Sequence, residues 1–209
     1  MKKIIILFFI FLLTLTSCTG KENNTLRSGD LVFQVSGGSE MGEAITDATA
    51  KNASVSYDHV GIVCVEDGKT FVIEATPKQG VVLTAWEDFT EQADGMVMRL
   101  RQPCDMEKTI ARAKSHLGEA YDWSYLPDNG KMYCSELVYE SYRTTDGKPL
   151  FTARPMNFRN ADGEMPAFWT DLFSRLGEPI PEGLPDTNPN DMAREASLEV
   201  VYQYVKTKE

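Results

Sequence analysis

The sequence predicts an α+β fold in which an antiparallel sheet packs against helices. Three observations carry this prediction. Short apolar, strand-forming segments follow one another between residues 31 and 100. An Asp67-Gly68 pair joins two of them with the residues typical of a hairpin turn. Helical periodicity becomes clear only after residue 104. Because the strands are consecutive and do not alternate with helices, we expect them to pair antiparallel.

The N-terminus has the pattern of an export signal. Lys2 and Lys3 precede an uninterrupted apolar segment, 4–13, which is short for a membrane span of about 20 residues. Leu15-Thr16-Ser17-Cys18 then resembles the lipobox of bacterial lipoproteins, in which the peptide is cut before a cysteine that carries the lipid. This resemblance implies a signal peptide over 1–17, lipidation at Cys18 and a lipid-anchored position in the bacterial cell envelope. An ordinary signal peptide and an N-terminal anchor helix remain alternatives.

The rest of the chain is expected to form a polar tether over 18–28 and a single domain over 29–209. The chain carries 21 basic and 31 acidic residues, a net charge of −10, and removal of Lys2 and Lys3 makes it −12. Such an acidic protein is not expected to bind nucleic acid, because that binding depends on neutralising phosphates. The acyl chains at Cys18 would hold the protein at the membrane.

The strands are predicted from short apolar segments bounded by turn residues. In chain order, they are Leu31–Val35, His59–Val65, Thr70–Ala75, Gly80–Leu83, Met96–Leu100 and, with the weakest pattern, Leu198–Val205. The first five are read as a meander.

The helices are predicted from apolar spacing of three to four residues and from capping signals. A helix with Asp105 as its N-cap is expected to run to Leu117, and Gly118 would stop it. A second helix begins near Cys134, a third covers 166–176, and 41–50 has a weaker helical pattern. Residues 177–191 hold four prolines and are predicted to be a wrapping loop.

Beyond Cys18 the chain has three cysteines, and Cys134 has the setting that suits a nucleophile. The start of a helix offers free N–H groups and the positive end of the helix dipole, which favour a thiolate. A cysteine at such a place can equally be structural. Cys64 lies mid-strand, where a thiol behaves as a small apolar group, and Cys104 has no visible partner. A Cys64–Cys104 disulfide remains open.

Two histidines are available as a base. His59 begins the strand that leads into the hairpin, where it can either end the strand or serve a site. His116 falls in the last turn of a helix, where a cation is favourable, so we interpret it as structural.

The hairpin brings a carboxylate to His59. If Glu66 pairs with Lys69 across the turn, Glu74 lies opposite Gly61 and diagonal to His59 on the same face. Glu74 would then fix the orientation of the imidazole, and Gly61 would leave room for it. A shift of one residue would separate Glu74 from His59, in which case Glu74 would be a solvated strand residue.

No cofactor or metal is expected. The chain has two histidines, no Cys-x-x-Cys and no His-Glu-x-x-His pattern. The Gly37-Gly38 pair lacks the continuation of a phosphate-binding loop.

Four motifs together resemble the permuted papain-like amidases of the YiiX/YaeF type and, more distantly, the NlpC-type cell-wall peptidases. They are Gly29-Asp30-Leu31-Val32-Phe33, Asp58-His59-Val60-Gly61-Ile62, Ile73-Glu74-Ala75 and Tyr133-Cys134-Ser135-Glu136-Leu137-Val138. The resemblance spans roughly residues 27–142. It implies a circularly permuted papain-like core in which histidine and carboxylate precede the cysteine. Asn188-Pro189-Asn190-Asp191 matches a C-terminal element of the family less clearly, and 145–190 carries no matched motif.

The resemblance also implies roles for individual residues. Cys134 would attack a carbonyl to form a thioester, His59 would accept and return the proton, and Glu74 would orient His59. The backbone N–H of Cys134 is a candidate oxyanion donor. Tyr121 matches a tyrosine that lines the substrate cleft in the NlpC-type enzymes, while Trp123 can be a purely structural aromatic residue.

Three functions follow as hypotheses. The first is an amidase or peptidase that acts on peptidoglycan-type peptides or small amidated, amino-acid-like substrates. The second is acyl transfer or thioester hydrolysis on lipids, as in the related lecithin:retinol acyltransferase group, which calls for a wide apolar groove beside Cys134. The third is a non-catalytic ligand-binding lipoprotein.

Overall fold

The computed structural model describes residues 25–35, 37–51, 55–102 and 104–206. The predicted signal peptide, the predicted lipidation site Cys18 and most of the predicted tether lie outside these residues. Within the described ranges, no helix is both long enough and apolar enough to cross a membrane.

Within the described residues, ten strands form one large sheet and two small ones. They are β1 Leu31–Val35, β2 His59–Glu66, β3 Lys69–Thr76, β4 Gly80–Ala85, β5 Asp94–Leu100, β6 Ala120–Tyr121, β7 Lys131–Met132, β8 Arg154–Pro155, β9 Pro185–Asp186 and β10 Leu198–Tyr204. The large sheet is antiparallel and has the strand order β10-β5-β1-β2-β3-β4. The predicted antiparallel sheet is therefore confirmed, and so is the last strand.

The sheet is a meander only from β1 to β4. β5 does not pair with β4 but with β1, where Leu31 lies opposite Met98. A short helix that was not predicted, Trp86–Thr90, follows β4 and contacts both β3 and β4. It carries the chain back across the sheet, which explains why consecutive strands are not neighbours at this point.

Six helices complete the described fold. They are α1 Glu40–Thr49, α2 Trp86–Thr90, α3 Met106–Ser115, α4 Cys134–Ser141, α5 Ala167–Leu176 and α6 Pro189–Ala193. Asp105 caps α3 as predicted, since its side chain accepts a hydrogen bond from the backbone of Lys108. The prediction of a loop throughout 177–191 is wrong at its C-terminal end. β9 lies there, and α6 begins there because Asn188 caps it and Pro189 is suited to its first turn.

The core holds α4 against the sheet. α4 contacts β2 and β3, and Leu137 and Val138 on it are completely buried. Just after the helix, the Tyr142 hydroxyl donates a hydrogen bond of 2.8 Å to the backbone oxygen of Gly29, which ties this end of α4 to the start of β1. The opposite sheet face carries a smaller apolar cluster that includes Val63 and Phe89. The helix that begins with Cys134 is thus fixed to the strands that carry His59 and Glu74.

Candidate active site

Cys134 is the first residue of α4 and is almost entirely buried. Tyr133, before it, is extended, so the chain turns into the helix at the thiol. The Glu136 carboxylate accepts a hydrogen bond from the backbone N–H of Tyr133 at 3.4 Å, as capping residues do. The structure therefore places the Cys134 side chain at the positive end of a buried helix.

The hairpin of β2 and β3 brings His59 and Glu74 into contact. Glu66 pairs with Lys69 and Ile62 with Ile73, which confirms the predicted register. His59 Nε2 lies 2.6 Å from Glu74 Oε2. The other carboxylate oxygen accepts a hydrogen bond of 2.5 Å from the Thr84 hydroxyl, a partner that the sequence did not indicate. Both oxygens of a carboxylate that is only 2% exposed are therefore satisfied.

Gly61 provides the space in which this contact forms. A β-carbon at this position would stand 2.4 Å from Val72 Cγ1, 3.4 Å from the backbone oxygen of Ile73 and 3.5 Å from Glu74 Cβ. Since 2.4 Å is far inside van der Waals contact, a larger residue would require the buried Val72 side chain or β3 itself to shift. Gly61 thus allows the close approach of the strands beside Glu74.

The imidazole of His59 interacts with Cys134 as well as with Glu74. Burial would by itself lower the pKa of His59, but the interactions with Cys134 and Glu74 outweigh it and raise this pKa to about 10. Because Nε2 faces Glu74, Nδ1 is the ring nitrogen that remains for Cys134. Burial would also raise the pKa of Glu74, but hydrogen bonding and charge attraction from His59, together with the Thr84 hydroxyl, lower it. These shifts favour an imidazolium beside a carboxylate.

Tyr121 lies on β6 and, together with Cys134, lines a cleft beside α4. Trp123 packs edge-on against Tyr121, with ring centroids 5.0 Å apart, and is not part of that cleft wall. Tyr121 and Cys134 therefore lie on the wall of the same cleft, and Trp123 packs against Tyr121 outside that wall.

Two clefts meet at this site. The first contains Cys134 and Tyr121 and has aromatic walls that include Phe158 and Trp169. The second contains His59 and Glu74 and has a more polar wall. Ile45 on α1 borders both clefts. A substrate can thus lie on either side of the Cys134–His59 pair.

Asn190 is a supporting residue that the sequence did not single out for this role. Its buried side-chain oxygen accepts a hydrogen bond from Tyr57 N, and its nitrogen donates to Tyr57 O, each at 2.8 Å. The same nitrogen donates to Thr49 Oγ1 at 2.8 Å. Asn190 therefore fixes the segment that leads into His59 and joins it to α1.

The remaining histidine and cysteines make other contacts. His116 Nδ1 lies 3.0 Å from Glu119 Oε2, at the end of α3, which agrees with a structural interpretation. Cys64 is buried in β2, and Cys104 Sγ lies 3.5 Å from Thr109 Oγ1. Neither cysteine forms a disulfide, so the Cys64–Cys104 bridge left open by the sequence is absent. Among the described residues, no three or more histidine, cysteine or acidic side chains are grouped to hold a metal ion.

Comparison with known proteins places the chain in a family. Residues 25–202 match the model of the permuted papain-like amidase enzymes, YaeF/YiiX, family C92. The uncharacterised protein YiiX of Escherichia coli K12 is 29% identical over 159 residues, which are 74% of this chain and 75% of YiiX. A crystal structure described as metalloprotein yiiX from Escherichia coli O157:H7 superposes with a TM-score of 0.70 at 25% identity, covering 86% of this chain and 98% of that one. The antiparallel sheet and buried α4 are thus a permuted papain-like fold, and the chain belongs to the permuted papain-like amidase family of enzymes.

Proposed function

We propose that the chain hydrolyses an amide bond with Cys134 as nucleophile, His59 as acid and base, and Glu74 as the group that orients His59. The observation that carries this proposal is the 2.6 Å contact of His59 Nε2 with Glu74, which leaves Nδ1 for Cys134. A buried carboxylate that holds an imidazole against a nucleophile is the arrangement of catalytic triads on many folds.

The reaction has two steps. The Cys134 thiolate attacks the carbonyl carbon and forms a C–S bond, while the backbone N–H of Cys134 stabilises the oxyanion. The C–N bond then breaks, and the His59 imidazolium gives its proton to the departing amine. In the second step, His59 takes a proton from a water molecule as the water oxygen attacks the thioester carbonyl. The C–S bond then breaks, the carboxylic acid leaves, and the Cys134 thiolate and His59 imidazolium are restored. Glu74 keeps the imidazole oriented throughout.

The substrate class that we propose is a peptidoglycan-type peptide or a small amidated, amino-acid-like molecule. The family is one of amidases, and the second cleft, which contains His59, also contains the exposed side chains of Lys78 and Asp88, which can bind the polar groups of such molecules. No cofactor takes part in the proposed steps.

The proposal can be tested by incubating the protein with a panel of peptidyl and aminoacyl amides. The rate of hydrolysis is measured from the amine that is released. Wild type and Cys104→Ala should cleave the same members of the panel, because Cys104 lines neither of the two clefts and its Sγ lies beside Thr109 Oγ1. Cys134→Ala should show no enzymatic turnover while keeping the melting temperature of a folded domain. Equal rates in wild type and Cys134→Ala would refute the proposal.

A second candidate is acyl transfer or hydrolysis of a lipid thioester by the same Cys134. The apolar, aromatic wall of the cleft beside Cys134 is the observation that favours it. Long-chain acyl thioesters and short peptidyl amides distinguish the two functions. A kcat/KM that rises with acyl-chain length and is much higher for thioesters than for amides would favour the lipid reaction.

We also propose that the protein is exported and held at the cell envelope through lipid on Cys18. The support is the Leu15-Thr16-Ser17-Cys18 pattern after a basic and apolar leader. Wild type should partition into detergent and incorporate labelled palmitate, and Cys18→Ser should do neither. Equal labelling of the two would refute the anchor.

A further inference from the structure

The two clefts that meet at the Cys134–His59 pair differ widely in size. The cleft that contains Cys134 but not His59 has a volume of about 60 Å³, and the cleft that contains His59 and Glu74 has a volume of about 540 Å³. A closed cavity of roughly 150 Å³ holds one molecule of benzene. The first cleft therefore has room for only a few non-hydrogen atoms, whereas the second can hold a group many times larger.

The chemistry of the proposed triad assigns a part of the substrate to each cleft. His59 delivers a proton to the departing amine, so the amine part lies on the side of His59. The carbonyl carbon becomes bonded to Cys134, and the acyl part extends away from His59. We therefore call the cleft that contains Cys134 the acyl-side cleft and the cleft that contains His59 the amine-side cleft.

The acyl-side cleft is held at its small volume by packed aromatic rings. Tyr125 lies 5.6 Å from Trp169 between ring centroids, and Phe158 lies 5.0 Å from Trp169, both edge to face. Tyr133 packs on Tyr125 at 5.0 Å. All four side chains are at most 7% exposed, so each ring is held by its neighbours. The cleft cannot widen on this side without disturbing the core.

The remaining walls of the acyl-side cleft add apolar surface and no charge. Ile45 and Met156 line it and are partly buried against the core. No charged side chain among the described residues lines it. A charged group placed in this cleft would lose its hydration without meeting an opposite charge on the walls. The exposed Asn157 marks the mouth, through which the rest of a peptide can leave.

The amine-side cleft has walls of the opposite kind. Several of its side chains are both polar and exposed: Lys78, Gln79, Asp88 and Gln92. They include hydrogen-bond donors, acceptors and both signs of charge. Exposed side chains change rotamer within nanoseconds, so these walls can adjust to the group that they contact. The amine-side cleft thus suits a large, polar group.

From this difference we infer that the residue on the acyl side of the cleaved bond is small and uncharged, as alanine is, and that the amine side carries a large polar group. The inference deepens the proposed function and rests on it for the assignment of the two sides. A long acyl chain exceeds the acyl-side cleft, so the inference favours amide hydrolysis over the lipid reaction.

Two series of amides test the inference with the wild-type chain. In the first, N-acetyl-alanyl, N-acetyl-leucyl and N-acetyl-phenylalanyl groups are joined to one amine, glutaminylglutamine amide, and the released fragment is identified by its mass. The kcat/KM for the alanyl compound should exceed that for the phenylalanyl compound at least about tenfold, with the leucyl compound between them. Equal values or the reverse order would overturn the acyl-side assignment.

In the second series, N-acetyl-alanine is joined either to methylamine or to glutaminylglutamine amide. The larger polar amine should raise kcat/KM at least about threefold, because it contacts the amine-side cleft that methylamine leaves empty. Equal values for the two amines, or a preference for methylamine, would overturn the amine-side assignment.

A variant that widens the acyl-side cleft locates the size limit. Met156→Ala removes part of the one wall that is not an interlocked ring, so kcat/KM for the phenylalanyl compound should rise about tenfold relative to the alanyl compound. Met165→Ala is the matched control, because Met165 is also partly buried but lines neither cleft, and it should leave this ratio unchanged. An unchanged ratio in a folded Met156→Ala would contradict the inference.

Binding separates this inference from the proposed function. Cys134→Ser keeps an atom at the position of Sγ, so the acyl-side cleft stays nearly as small, and calorimetry with the same amides needs no turnover. If wild type cleaves the alanyl and phenylalanyl compounds equally well, the size inference fails and the triad stands. If no amide is cleaved, the hydrolase proposal fails, and the clefts are tested by affinity alone. At least about tenfold tighter binding of the alanyl compound than of the phenylalanyl compound then supports the size limit, and equal binding or none refutes it.

Discussion

Glu74 reaches His59 from the neighbouring strand, and its Oε2 lies 2.6 Å from the imidazole Nε2. The contact depends on the hairpin register, in which Glu66 pairs with Lys69. Side chains on paired strands meet only when they share a face, so the two-residue Asp67-Gly68 turn determines that the carboxylate meets the imidazole. The geometry of a turn thus controls the orientation of the proposed base.

Removal of the Glu74 charge should slow the reaction without abolishing it. Glu74→Gln keeps the shape and one oxygen acceptor but withdraws the charge that stabilises the imidazolium. We expect kcat to fall on the order of 10²-fold, whereas Cys134→Ala leaves no enzymatic turnover. Steady-state kinetics on one cleavable amide measures both. Loss of activity in Glu74→Gln as complete as in Cys134→Ala would show that Glu74 does more than orient His59.

The His59–Glu74 ion pair should also make the stability of the fold depend on pH in a defined way. The pKa of His59 is raised to about 10 in the folded protein. The contribution of His59 to the free energy of unfolding is therefore complete below its ordinary pKa of about 6.5 and is lost as pH rises towards 10. The pKa of Glu74 is lowered from 4.5, so its contribution is present above pH 4.5 and is lost at lower pH. Stability should therefore be highest between these two limits.

Melting temperatures between pH 3 and pH 10 check this expectation. The melting temperature of wild type should fall on both the acidic and the alkaline side, and that of Glu74→Gln should fall less on each side. The exposed Glu87→Gln serves as the control and should follow wild type. A pH profile that is the same in Glu74→Gln and wild type would mean that the ion pair contributes nothing to folding.

Gly61→Ala should destabilise the hairpin. The added carbon would stand 2.4 Å from Val72 Cγ1, so the buried Val72 side chain or β3 itself must shift, at a cost of about 1–3 kcal/mol of unfolding free energy. Any shift of β3 would also displace Glu74 from His59 and reduce kcat. Urea denaturation together with kinetics measures both effects, and Val65→Ala, an exposed change on the same strand, is the control. If Gly61→Ala unfolds with the same free energy as wild type, the space beside Gly61 can hold a methyl group and the predicted clash is wrong.

Asn190→Leu should destabilise the fold and disturb the position of His59. It removes three hydrogen bonds and leaves the backbone N–H and oxygen of Tyr57 without partners, which should cost at least about 2 kcal/mol. Gln203→Leu, at an exposed amide, is the matched control and should change the unfolding free energy little. Equal effects of the two changes in urea denaturation would contradict the role of Asn190.

The parts of the site that follow from short-range pattern were predictable from the sequence. The hairpin register depends on four residues around a turn, and the start of α4 follows from the change of pattern at Cys134. Both were found because the residues that decide them are adjacent in the chain.

The parts that were missed depend on contacts between distant segments. Asn190 meets Tyr57 across 133 positions of sequence, so no local pattern reveals its partner. Asn188 followed by Pro189 is a recognisable helix start, yet the four prolines of 177–191 suggested a loop throughout. The displacement of β5 to the edge of β1 was missed for the same reason, since strand order is decided by packing.

The most direct test of the central claim is the rate at which iodoacetamide alkylates Cys134 between pH 4 and pH 9, followed by peptide mass mapping that separates it from Cys64 and Cys104. The proposed thiolate–imidazole pair predicts rapid labelling at about pH 5–6 in wild type and in the control His116→Ala, and much slower labelling in His59→Ala. Labelling that rises only above about pH 8, as for a free thiol, and that is the same without His59 would contradict the claim.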